Sequence, residues 1–84
     1  MPELPNIQAE IIRYAIQQIE DGENVVHLRP FCEQRGYGEQ RVARKVLEAG
    51  VFDWGVSPMG VWPREDVHAL RERLDEWPET EVEI

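Results

Sequence analysis

The sequence predicts a mainly α fold with a small β-hairpin: three helices, the hairpin, and a C-terminal helix. Three observations lead there. Apolar residues recur at helical spacing near the N-terminus, through the centre and near the C-terminus. Between the last two lies Val51 to Trp62, VFDWGVSPMGVW, which is β-branched and aromatic on either side of Ser57-Pro58-Met59-Gly60; proline at the second and glycine at the fourth position is ordinary β-turn chemistry. The chain of 84 residues is also one small domain, able to bury only about 60 to 65% of its unfolded surface. That leaves room for one modest core and argues against a deep, closed active site.

Taken in order, Met1 to Pro5 reads as a short arm, and Asn6 as the N-cap of a first helix ending near Asp21-Gly22. Ile11, Ile12, Ala15, Ile16 and Ile19 form its buried stripe, with Glu10, Arg13, Gln17, Gln18 and Glu20 toward water. Glu23 to Leu28 is extended or leads into a second helix over Pro30 to Arg35, where proline suits a first turn because its missing amide hydrogen is not needed there. Leu28, Phe31 and Cys32 would pack this helix down, and Gly36 would end it in the left-handed conformation. His27 reads as a partly buried structural histidine. Pro63 is expected to open the last helix, with Arg64, Glu65 and Asp66 in its first turn and Val67, Leu70, Leu74 and Trp77 as its buried stripe. The domain should occupy residues 1–77. The acidic tail over 78–84 reads as disordered, with a short edge strand from Thr80 to Ile84 as the alternative.

Tyr37 to Gly50, YGEQRVARKVLEAG, organises the rest. Val42, Ala43, Val46 and Leu47 form one apolar face, and Arg41, Arg44 and Lys45 fall on the other side at i, i+3 and i+4. A packed back with a cationic front is what a recognition helix needs, although any solvated helix also turns charge outward. The chain carries 17 acidic residues against nine Lys and Arg, a net charge of −8, contrary to general affinity for nucleic acid. The charge is uneven. Leu28 to Leu47 holds five cations and two carboxylates, +3, which leaves −11 elsewhere; one more residue, Glu48, lowers the segment to +2.

Two helices separated by Gly36-Tyr37-Gly38 make a helix-turn-helix pattern. Leu28 to Leu47 resembles that of small DNA-binding proteins, with Cys32 at the small-residue position, Gly36 at the turn and Val42 at a buried position of the second helix; the next such position falls on Lys45 rather than Val46, implying a longer turn. With the hairpin and WPREDVHALRERL added, Leu28 to Trp77 resembles the winged helix-turn-helix of excisionases and MerR-type regulators. The resemblance implies that Arg41, Arg44 and Lys45 enter the major groove, with Tyr37 and Gln40 near the backbone; Arg35 is a further DNA-binding candidate. Family wings offer basic side chains, whereas Val51 to Trp62 has no Lys or Arg, so Phe52, Trp54, Met59 and Trp62 become candidates for core or for a partner surface.

The function expected is a small non-enzymatic DNA-binding protein, a transcriptional regulator or recombination accessory factor, that inserts the helix over 39–49 into the major groove of double-stranded DNA, as a homodimer over a twofold site. The alternative is an acidic protein-interaction module or inhibitor on the same scaffold, whose protein partner is a basic nucleic-acid-processing protein. No nucleophile with a base and no glycine-rich phosphate loop appears, and no cofactor is implied. One cysteine and two histidines give no metal set. No apolar run approaches a membrane span and MPELPNI lacks the blocks of a signal peptide, so a reducing, cytoplasmic location is expected.

Overall fold

The first helix is set by its cap. Asn6 keeps an extended backbone, and its side-chain Oδ1 accepts from the amides of Gln8 (3.0 Å) and Ala9 (3.3 Å), satisfying two donors that a helix start otherwise leaves open. A computed structural model describes residues 3–55, 59–77 and 80–82. Among these, strand β1 (Glu3–Pro5) is followed by helix α1 (Ile7–Glu20), strand β2 (Val26–His27), and helices α2 (Leu28–Arg35) and α3 (Glu39–Ala49). Strands β3 (Phe52–Trp54) and β4 (Gly60–Pro63), helix α4 (Val67–Glu76) and strand β5 (Thr80–Val82) complete the order. The chain is thus mainly helical, with a three-stranded antiparallel sheet in the order β2-β4-β3 and a separate antiparallel pair, β1 with β5.

One core joins the helices to the sheet. α1 buries Ile7, Ala9, Ile11, Ile12, Ala15 and Ile16, with Ile19 half-buried at its end. Leu28, Phe31 and Cys32 of α2, Val42 and Val46 of α3, and Leu70 of α4 meet this stripe from the other side. Val26 and Val61, paired across β2 and β4, close the sheet face together with Phe52. Tyr14 ties α1 to β2 by donating its hydroxyl to the His27 carbonyl at 2.9 Å.

Several expectations are corrected. α2 begins at Leu28, two residues before Pro30, because β2 runs directly into it; Pro30 is then its third residue, still among the first amides that lack helical partners. Pro63 opens no helix: it is the last residue of β4, opposite Phe52, and the next amide, Arg64, donates to the Val51 carbonyl at 2.9 Å. Helix α4 starts only at Val67, where Asp66 is the N-cap and accepts from the Ala69 amide at 2.9 Å. The sheet therefore holds Pro63 to Arg64, and aspartate, a strong cap, takes the start. Leu47 does not pack: it is 64% exposed. Val42, Val46 and Ala49 form a narrow strip, and Leu47 lies about 100° round the helix from Val46. His27 is exposed. The tail expected to be disordered contributes β5, whose Thr80, Glu81 and Val82 pair with Pro5, Leu4 and Glu3, so the N-terminal arm and the tail hold each other. Of the expected turn, Ser57 and Pro58 lie outside the described residues, while Met59 has a φ of 60° and the Gly55 amide donates to the Gly60 carbonyl at 2.7 Å. A Cβ at Gly55 would lie 3.1 Å from that carbonyl, a tight contact that glycine avoids.

Candidate nucleic-acid interface

Left-handed glycines end both α2 and α3. Gly36, at φ 71° and ψ 24°, ends α2, and Gly50, at φ 70° and ψ 14°, ends α3. Between them, Val42 and Val46 are the helix's two fully buried residues, with Ala43 and Ala49 half-buried. A face so lightly used for packing leaves most of the helix to solvent.

That outer face carries a shallow depression of about 470 Å³ lined by Gln40, Arg41, Arg44, Lys45 and Glu48. The three expected cations are not equivalent. Arg41 and Arg44 are exposed, and among the described residues neither has a carboxylate partner. The Arg41 guanidinium lies 5.9 Å from the centroid of the Tyr37 ring, near the limit of a cation–π contact. The Lys45 side chain is only 23% exposed, with Nζ 3.8 Å from Glu48 Oε2, and its carbonyl accepts from Gln8 Nε2 at 3.4 Å. Lys45 therefore belongs partly to the junction with α1. Gln40 is exposed beside the arginines.

Arg35 and Tyr37 do different work. The Arg35 guanidinium sits over the Phe31 ring, 4.7 Å from its centroid, and 3.6 Å from Glu10 Oε2. Tyr37 donates its hydroxyl to the same Glu10 oxygen at 2.9 Å. Burial, and then the hydrogen bond to Glu10, push the Tyr37 phenol above its ordinary range, so it stays a donor. Phe31 is flanked by Tyr14, at 5.3 Å between centroids, and Tyr37, at 6.0 Å. Glu10, read from the sequence as facing water, thus anchors the turn before α3 to α1 from a half-buried position. Nothing local announces this, because the Glu10–Tyr37 contact spans 27 residues.

At the N-terminal end of α3, Glu39 is taken by Arg29 at 3.2 Å. In the hairpin, Arg64 Nε donates to Asp53 at 2.8 Å and Nη1 to the Gly50 carbonyl at 3.3 Å, pinning β3 to the end of α3. The hairpin candidates divide by burial. Phe52 is core at 5% exposure and offers no surface to a partner, Met59 is half-buried against the core, and Trp54 and Trp62 are each 39% exposed.

Cys32 is buried, and that burial raises its thiol above the usual range, which makes it a poor nucleophile. Among the described residues, no group of three His, Cys, Asp or Glu side chains is placed to hold a metal ion, and no helix is long and apolar enough to cross a membrane. No family model, curated protein or solved structure matches the chain.

Proposed function

We propose that this chain is a small non-enzymatic DNA-binding protein of winged helix-turn-helix type, with α3 as the recognition helix. It would act in the cytoplasm as a transcriptional regulator or recombination accessory factor, as a dimer over a twofold DNA site. The observation that carries the reading is the pairing of Arg41 and Arg44 one turn apart on the exposed side of α3, without carboxylate partners among the described residues, while Val42 and Val46 fix the opposite side in the core. Phosphates and guanine edges are met best by guanidinium forks on a rigid element. The helix order α1, α2, α3 followed by the β3–β4 hairpin supports the winged arrangement. In this reading the hairpin is a buttress: Arg64, the cation at its base, is engaged by Asp53 and by the end of α3.

The net charge of −8 bears on how it would bind. An acidic body repels duplex except where α3 meets it, which weakens random binding relative to the specific site. The experiment is fluorescence anisotropy with labelled genomic duplex fragments in about 50 mM salt, where phosphate contacts are strongest. The parent should bind, and Arg41→Ala/Arg44→Ala should bind at least about tenfold more weakly, at about one phosphate contact per arginine. No binding by the parent, or equal binding by both, removes the proposal.

A further inference from the structure

A second groove, sharing no residue with the α3 face, lies where the end of α1, the end of β4 and the start of α4 converge; its volume is about 630 Å³. The floor is apolar. Ile19, Trp62, Pro63 and Val67 line it from those three elements, and each keeps part of its surface exposed, Trp62 the most. Register explains the open tryptophan. Val61 points into the core, so Trp62 stands on the opposite face of the strand, and its cross-strand neighbour is Asp53 rather than an apolar residue. A cavity of this size with a mostly apolar lining suits one or two side chains of a ligand.

The rim is acidic apart from one imidazole. Glu23, Glu65 and Asp66 border the floor with Asn24, no Lys or Arg lines it, and His68, also at the rim, has Nε2 3.2 Å from Glu72 Oε1. Glu65 is compensated, because Arg73 grips both of its oxygens from the next turns of α4. Among the described residues no cation is paired with Glu23 or Asp66; Asp66 Oδ1 accepts from the Ala69 amide at 2.9 Å as the cap of α4.

We propose that this groove binds a basic peptide segment of a partner protein, with an apolar side chain on the Ile19–Val67 floor and a lysine or arginine against the Trp62 ring and the carboxylates of Glu23 and Asp66. Charge complementarity selects this occupant. Nucleic acid is excluded by the acidic rim, and a second copy docking face to face would set these carboxylates against their own equivalents. A cation over an exposed indole, flanked by carboxylates, gains from both ring and charge. The inference stands independently of DNA binding by α3, since the two surfaces have no residue in common.

The test is NMR titration of the full chain with the acetylated, amidated peptide Lys-Arg-Leu-Lys-Arg-Leu-Lys. Two control peptides carry Glu at every basic position or Ser at both leucines. Saturable shifts are expected at Ile19, Glu23, Val67 and the Trp62 indole, with none for the Glu peptide and about tenfold weaker binding for the Ser peptide. Trp62→Ala should weaken binding about tenfold, and Trp62→Phe by less, because a ring remains. Glu23→Gln/Asp66→Asn should weaken it about fivefold at low salt, with folding preserved because asparagine also caps helices. Equal binding of the basic and Glu peptides, shifts confined to α3 or scattered over the surface, or the same shifts on concentrating the protein alone would each overturn the proposal; the last would assign the groove to a second copy.

Discussion

Helices α1 and α3 lie against each other and use their residues in opposite ways. α1 buries six of its fourteen residues, whereas α3 buries two of its eleven and leaves Leu47 and two arginines to solvent. A small domain holds together through burial, so a helix that contributes few residues to the core, as α3 does, has side chains to spare for a ligand. The comparison implies a separation: changes on the inner face of α1 should cost stability and leave binding per folded molecule intact, and changes on the outer face of α3 should do the reverse.

The largest effect should come from α1. Ile12→Ala empties a site of 0% exposure at the centre of the stripe, and should lower unfolding free energy by about 3 kcal/mol in urea titration. A loss below about 1 kcal/mol would show that α1 is not the main strut. Next is the hinge between α2 and α3. A side chain at Gly36 would touch nothing within 4 Å, yet its φ is 71°, so Gly36→Ala should cost about 1 kcal/mol from backbone conformation alone.

These two sites also mark what was legible in the sequence. Asn6, the isoleucine stripe, Gly36, and Val42 with Val46 each announce themselves locally, through cap chemistry, period or a left-handed turn, and the cap, the two buried faces and the end of α2 stand where expected, although α2 starts two residues early. The misreadings are tertiary. Pro63 has the look of a helix opener, but pairing with Phe52 holds it in a strand and leaves the start to Asp66. The tail is acidic enough to read as disordered, yet it finds an antiparallel partner about eighty residues away in β1. Leu47 is apolar and was placed with Val46, but the contact strip on α3 is too narrow to include it. In the candidate interface, the arginines were readable from spacing. The tie of Tyr37 and Arg35 to Glu10 was not, because a glutamate on a helix gives no sign that a tyrosine 27 residues onward will reach it.

That tie gives a smaller prediction. Tyr37→Phe removes the hydroxyl that Glu10 accepts and should cost about 1 kcal/mol. It should also alter the alkaline flank. The phenols of Tyr37 and Tyr14 are both raised above the ordinary value of 10.0, chiefly by burial. The folded state therefore holds protons that the unfolded chain has released, and stability declines as pH rises from near 10.0 through the folded values. Thermal melts across that range should show a shallower decline for Tyr37→Phe than for the parent; identical slopes would mean that Tyr37 titrates as it does in the unfolded chain. The smallest effect is expected at Leu47: Leu47→Ser, at a position 64% exposed, should change stability by no more than about 0.5 kcal/mol. A larger loss would show that α3 packs more of its surface than the comparison with α1 allows.

The separation between scaffold and reader is tested most directly by the salt dependence of duplex binding, measured for the parent and for Arg41→Ala/Arg44→Ala. With about four to six phosphates neutralised, the parent's log affinity should fall against log salt with a slope of about −4 to −5, and the double variant's slope should be shallower by about 2, with its melting temperature unchanged. Equal slopes, or a variant that loses its fold along with its binding, would contradict the assignment of the outer face of α3 to DNA.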